Sequence, residues 1–219
     1  MTLVDLSHTV EHGMVTYPGL PGPIICDYLS REASRGRYGP GVEFQIGKIE
    51  MVANTGTYLD SPFHRYAGGK DLSALPLDSL ANLDTVVIRI GGGSARAIPR
   101  AAFQDVPVQG RAVLVHTGWD AHWRTERYLS GNPFLTADAA EYLVSQDVRL
   151  VGIDSVNIDD IDDPARPVHS TLLGADVPIV EHMCRLNLLP DRDVRFFAVP
   201  AKVAGFGTWP VRAFGVVST

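Results

Sequence analysis

Four polar side chains in one short stretch have the types and spacing to do chemistry together. Asn54, Tyr58, Asp60 and His64 stand at offsets 0, 4, 6 and 10 in Asn54-Thr-Gly-Thr-Tyr58-Leu-Asp60-Ser-Pro62-Phe-His64. In an extended strand all even offsets share one face. Asn54, Tyr58 and Asp60 should therefore point into the same space, with His64 arriving just after Pro62 breaks the strand. A carboxylate and an imidazole delivered in this way suit a metal site or an acid–base site. Asn and Tyr are poor metal donors, which limits how far the metal reading extends.

Two further clusters are able to join this one. His169 lies in Pro167-Val-His-Ser-Thr-Leu-Leu-Gly174, which reads as a Pro-flanked loop. Glu181 lies in Val177-Pro-Ile-Val-Glu-His182, at the start of a segment, Val177–Leu189, whose apolar stripe predicts a helix. A carboxylate in a first helical turn also suits the macrodipole, so Glu181 taken alone needs no chemical role. Trp119 and Trp209 either wall a pocket or belong to the core. Nothing singles out His8, His12, His116, His122 or His182. Gly91-Gly-Gly93 follows a strand, but no phosphate-binding pattern completes it and it reads as a loop. No GxSxG elbow is present.

These residues need elements to hold them. Leu3–Ser7, Thr85–Ile90, Ala112–Thr117, Arg149–Ile153, Arg195–Val199 and Val211–Val217 read as strands. Residues 42–60 read as a hairpin or one long bent strand. Ala137–Gln146 reads as a helix capped by Thr136. Strands outnumber helices and do not alternate with them, which predicts a mixed sheet with packed helices, not a doubly wound one.

Composition sets the outer bounds. The chain has 219 residues, 45% apolar and 20% charged, with a net charge of −6. That is enough for one domain with a sizeable core, and a single domain over 1–219 is expected. There is no basic, aromatic-rich patch to take nucleic acid and no apolar run of membrane-spanning length. Met1-Thr-Leu-Val-Asp5 carries an acid where a secretory leader would carry base, so a cytoplasmic protein is expected. Cys26 and Cys184 are far apart and read as reduced, buried thiols.

Taken together, the motifs are similar to those of the cyclase-like metal-dependent hydrolase superfamily, which includes bacterial kynurenine formamidase and isatin hydrolase. The resemblance spans nearly the whole chain. It rests on Asp5-Leu-Ser7, Met14-Val-Thr-Tyr17-Pro-Gly19, the stretch from Asn54 to His64, His116-Thr-Gly-Trp-Asp120, Leu150-Val-Gly-Ile-Asp-Ser155, His169 to Glu181, and Gly207-Thr-Trp-Pro-Val-Arg212. The family's strand motif runs His-x-Gly-Thr-His-x-Asp-x-Pro-x-His. Here Asn54 and Tyr58 replace its first two histidines, while Asp60, Pro62 and His64 are kept.

The resemblance implies an α/β fold: a mixed, barrel-like β-sheet of the swivelling β/β/α type, flanked by helices. It implies Asp60, His169 and Glu181 as ligands of one divalent metal, zinc or manganese, with His64 as the acid–base residue. It also implies Tyr17 near the substrate, a homodimer or homotetramer, and an arm or lid built from the N-terminal segment and residues 28–41. An Asn oxygen is a weak donor to a borderline-soft cation, and Tyr ligates only as phenolate, far below its ordinary pKa of about 10. The metal site that needs the two missing histidines should therefore be absent.

Three functions stay open. One is a metal-dependent hydrolase of a small amide, formamide or cyclic imide or lactam, with Tyr58 or Asn54 donating to the oxyanion. Another is a metal-free cyclase or isomerase of ring or polyketide-like metabolites using Tyr58, Asp60 and His64. The third is a ligand-binding protein without catalysis. The partner in each case is a small molecule, not nucleic acid or membrane.

Overall fold

A computed structural model describes residues 1–91 and 95–218. Of the glycine run at 91–93, Gly92 and Gly93 lie outside the described residues.

Thirteen strands and three short helices are described. The strands are β1 (Thr2–Asp5), β2 (Ile24–Leu29), β3 (Ile46–Glu50), β4 (Tyr58–Asp60), β5 (Leu83–Arg89), β6 (Ala97–Ile98), β7 (Ala112–His116), β8 (Phe134–Leu135), β9 (Leu150–Ile153), β10 (Ile179–Glu181), β11 (Val194–Phe197), β12 (Thr208–Pro210) and β13 (Phe214–Val217). The helices are α1 (Arg31–Ser34), α2 (Ala137–Ser145) and α3 (Pro167–Gly174).

Nine strands form one mixed sheet in the order β1-β13-β11-β5-β7-β9-β10-β4-β12. Strands β5, β7, β9 and β10 run parallel, and every other pairing within this sheet is antiparallel. The edges β1 and β12 do not pair with each other, so the sheet is a curled half-barrel and not a closed one. The parallel centre explains the near-continuous apolar runs of Ala112–Val115 and Leu150–Ile153, which are buried on both faces. One face packs Val113, Val151 and Ile179 against Ala140 and Leu143 of α2 and Leu172 of α3. The other face buries Leu59, Leu114, Val180 and Phe196. Each such side chain contributes roughly 1.5–3 kcal/mol by leaving water.

Four sequence expectations change. Residues 42–60 are not one strand. Strand β3 pairs only with β2 in a separate ribbon, and Gly56, at φ +65°, turns the chain before β4. The predicted helix over Val177–Leu189 is strand β10 followed by a single 3-10 turn at Leu186–Leu188. Positive φ angles at Asp176, His182 and Arg185 interrupt any helical course, and the β-branched Ile179 and Val180 fill the slot between β9 and β4. Conversely, the segment holding His169 is helix α3, with Pro167 in its first turn, where a missing N–H costs nothing. A fourth change concerns the thiols: Cys184 is buried but Cys26 is exposed, because it sits on the ribbon.

Candidate active site

The site is a consequence of register. Strand β4 lies between β10 and β12, and its three residues pair Tyr58 with Glu181 and Pro210, Leu59 with Val180 and Trp209, and Asp60 with Ile179 and Thr208. Directly opposed residues share a face. Tyr58, Asp60, Glu181 and Thr208 therefore project to one side, while Leu59, Val180 and Trp209 pack into the second core. Trp119 donates its indole N–H to the Tyr128 carbonyl, and neither tryptophan lines the cavity that follows.

His169 is brought in by α3. Asp159 accepts the backbone N–H groups of Val168 (2.7 Å) and His169 (3.0 Å), and also bonds the His169 Nδ1 at 2.6 Å. This fixes the ring so that Nε2 faces Asp60 Oδ2 at 3.8 Å and Glu181 Oε1 at 3.7 Å. Burial alone pushes the His169 imidazolium down, but the Glu181 charge, the Asp159 bond and Asp60 outweigh it and hold the pKa up at about 10. Burial, reinforced by the Asp60 charge, pushes Glu181 up to about 7 against the pull of His169.

His64 closes the other side. It sits on a 3-10 turn, Pro62–His64, and its Nδ1 lies 2.8 Å from Thr208 Oγ1. The Thr208 hydroxyl gives its one proton to Asp60 Oδ1. His64 must then donate through Nδ1–H, which leaves a lone pair on Nε2. Gly207 makes this approach feasible: a Cβ there would lie 2.5 Å from the His64 backbone nitrogen.

Tyr58 and Tyr17 form the back wall. The Tyr58 hydroxyl donates to Glu181 Oε2 at 2.7 Å and lies 3.0 Å from the Tyr17 hydroxyl. Burial, then the Glu181 charge, raises the Tyr58 phenol well above its ordinary value, which disfavours a phenolate there. Its single proton is already committed to Glu181, and it holds that carboxylate in place. Asn54 has no hydrogen-bond partner among the described residues and faces the cavity with a free amide. Sequence reasoning thus names six residues that all line one cavity of about 360 Å³ together with Tyr17. Asn54 lines this cavity although it lies outside β4.

Sequence reasoning missed Asp159, Thr208, Asn157 and Arg166. Asp159 carried a legible signal, since it lies ten residues before His169 in a run of aspartates. Thr208 lies in a segment that carries the family resemblance, but its role depends on β12 pairing with β4 and no local pattern shows it.

A metal fits this donor set. Asp60 Oδ2 is fully buried and has no hydrogen-bond partner, a cost that a bound cation would relieve. Its distance to His169 Nε2 is too long for a hydrogen bond. Asp60, His64 and His169 each offer a ligand atom, all within 4.8 Å of one another. Glu181 adds a second carboxylate beside the same imidazole nitrogen.

Comparisons with known proteins agree with this architecture. The family model Cyclase ("Putative cyclase") matches residues 4–160. Kynurenine formamidase from Bacillus cereus is 28% identical over 211 residues, covering 96% of this chain and 95% of that protein. The Bacillus anthracis kynurenine formamidase is 26% identical with the same coverage. Among solved structures, isatin hydrolase A from Labrenzia aggregata has a TM-score of 0.84 at 21% identity, covering 100% of this chain and 94% of that one. A potential metal-dependent hydrolase with cyclase activity has a TM-score of 0.80 at 25% identity, covering 98% and 96%.

Proposed function

The chain belongs to the Cyclase family, and from that premise we propose that it is a metal-dependent hydrolase of a C–N bond in a small amide, formamide or cyclic imide or lactam. The similarity to kynurenine formamidases over almost the full length supports an arylformamidase-like hydrolase. The observation that carries the metal is the buried Asp60 Oδ2, orphaned beside His169 and Glu181.

Asp60, His169 and Glu181 would hold one divalent ion, zinc or manganese by their oxygen and nitrogen donors. When bound, the ion supplies Lewis acidity to the scissile carbonyl and to a water. His64 takes a proton from the water on its free Nε2 and returns it to the leaving nitrogen. Overall, amide and water become a carboxylate, an amine and a proton released to solvent. The Asn54 amide is free to donate to the developing oxyanion; Tyr58 is not, because its proton serves Glu181. Asp159 keeps His169 in the orientation that presents Nε2.

A second reading has a specific basis. His64 belongs to the same ligand-distance cluster as Asp60 and His169, while both Glu181 oxygens already accept hydrogen bonds. His64 would then be a ligand and not the base. Metal content and turnover of His64→Ala separate the two. If His64 is the base, about one metal per chain stays bound and turnover of a formanilide falls by roughly 10²–10⁴. Loss of the metal along with activity makes His64 a ligand. Near-normal turnover refutes both roles, and metal-free wild-type protein of full activity favours the acid–base cyclase reading instead.

The β2–β3 ribbon supports an oligomer. It lies outside the main sheet and exposes Ile25, Tyr28, Ile46 and Ile49, an apolar surface that a second copy would cover in a homodimer or homotetramer. The family resemblance implies an arm or lid from the N-terminal segment and residues 28–41; the ribbon, whose β2 begins that stretch and whose connection continues it, would be part of such an arm. No helix of the described residues is long and apolar enough to cross a membrane.

A further inference from the structure

The cavity has two electrical poles. Its inner end holds Asp60 and Glu181, whose counter-charge is His169. Its outer end is lined by two guanidinium groups, Arg65 and Arg166. Neither has a carboxylate partner among the described residues. Arg166 is half-buried, and its N–H groups go only to neutral acceptors: the Asp160 carbonyl at 2.9 Å, the Ile161 carbonyl at 3.3 Å and Asn157 Oδ1 at 3.5 Å. Arg65 donates to Ser170 Oγ at 3.1 Å and lies over the Tyr66 ring.

Arg35, Arg89, Arg96, Arg111, Arg124 and Arg212 each pair with a carboxylate. Aspartates precede Arg166 at 159, 160, 162 and 163, yet Asp159 is turned to His169, Asp160 to Arg96, and Asp163 accepts the Ala165 N–H. Arg166 also occupies a left-handed backbone conformation at φ 49°, as the residue that caps the start of α3. A non-glycine residue there carries strain. The backbone turn that delivers His169 to the inner pole thus also delivers Arg166 to the outer one.

A guanidinium that is partly desolvated and satisfied only by carbonyls retains most of its charge, and its planar fork matches a carboxylate better than any neutral group. We propose that Arg166, assisted by Arg65, makes the cavity select substrates that carry a carboxylate remote from the scissile C–N bond. The outer pole binds that anion while the carbonyl reaches Asp60, His64 and His169. The substrate class is an anionic amide, formamide or imide. This rests on the hydrolase reading for the scissile bond, but the anion selection itself does not depend on turnover.

The test uses the full-length protein as purified and measures binding apart from turnover. Calorimetry compares 2-aminobenzoate with its neutral isostere 2-aminobenzamide on wild type, Arg166→Gln, Arg166→Lys and Arg65→Gln. The expected result is a wild-type preference of ten-fold or more for the anion, weakened by salt. The anion-to-amide affinity ratio should fall about ten-fold in Arg166→Gln, less in Arg166→Lys and less again in Arg65→Gln. Circular dichroism and the neutral ligand report folding, and Arg65→Gln carries the test if Arg166→Gln does not fold. Equal affinities in wild type overturn the proposal. So does a preference unchanged in both glutamine variants, which would place the anion at the inner pole. Hydrolysis of formanilide and N-formylanthranilate is read in parallel. Turnover of both with equal kcat/KM and no anion preference sinks the selection while keeping the hydrolase. An Arg-dependent preference with no turnover of either sinks the hydrolase while keeping the selection.

Discussion

His169 and His182 are both buried, lie on opposite sides of the Tyr17–Tyr58 pair, and have opposite chemistry. Around His169 stand three carboxylates, Asp159, Asp60 and Glu181. Around His182 stand Tyr128, Tyr17 and Trp123. Burial is the first influence on both rings and disfavours the imidazolium in each. At His169 the neighbouring negative charge reverses it and the pKa stands at about 10; at His182 nothing opposes burial and the pKa falls to about 3. One ring is a cation waiting to be exchanged for another cation. The other is a neutral hydrogen-bonding strut, accepting a hydrogen bond from the Tyr128 hydroxyl at Nδ1 (2.9 Å) and facing the Tyr17 hydroxyl with Nε2 (3.1 Å). Burial alone therefore does not make a reactive histidine; what surrounds it does.

Removing the carboxylate that orients His169 should have the largest effect. In Asp159→Asn one oxygen replaces two, and the new NH₂ faces N–H donors of Val168 and His169. Losing the group that orients a ligating imidazole costs about 10–100-fold in metal affinity or activity. Metal titration and kcat should fall together by about that much, with α3 loosened as well. Wild-type metal affinity in this variant would mean that His169 does not need Asp159 to present Nε2.

The matching change on the neutral side should leave chemistry nearly alone and lower stability instead. His182→Phe keeps a ring among Trp123, Tyr128 and Tyr17, but it strips the buried Tyr128 hydroxyl of its partner. The expected cost is about 1–3 kcal/mol in urea unfolding, with metal affinity altered less than in Asp159→Asn. A metal loss as large as that of Asp159→Asn would erase the distinction between the two histidines.

The same contrast explains what the sequence could and could not reveal. Asp60, His64, His169 and Glu181 were recognisable because metal and proton chemistry restrict residue type, and their spacing matches a family motif. The strands with continuous apolar runs, such as Ala112–Val115, were legible because both faces are buried. The local structure around Glu181 was not. Its apolar stripe fits a helix as well as a short buried strand, and only the slot between β9 and β4 decides for strand. The roles of Thr208 and Arg166 were invisible for a related reason. Thr208 acts through a pairing with Asp60, 148 residues away, and Arg166 through a left-handed turn that no periodicity encodes.

The smallest expected effect concerns His8, which stacks on Trp123 with centroids 4.0 Å apart and extends the neutral side toward the surface. Burial lowers its pKa from an ordinary 6.5 to about 4, with Arg124 and Arg185 adding to the effect and Asp120 opposing it. The unfolded chain therefore binds the proton more readily than the folded one between those values. The contribution to stability is fully present above about pH 6.5 and is lost as pH falls toward 4. One such proton amounts to at most about 1.4 kcal/mol per pH unit, and less for a ring that is partly open to solvent. His8→Phe keeps the stack and removes the titration. Urea unfolding from pH 7 to pH 4 should show a shallower acid decline in the variant, with the two curves converging in shape above pH 6.5. An identical decline would move the acid sensitivity to His182, the deeper of the two neutral rings.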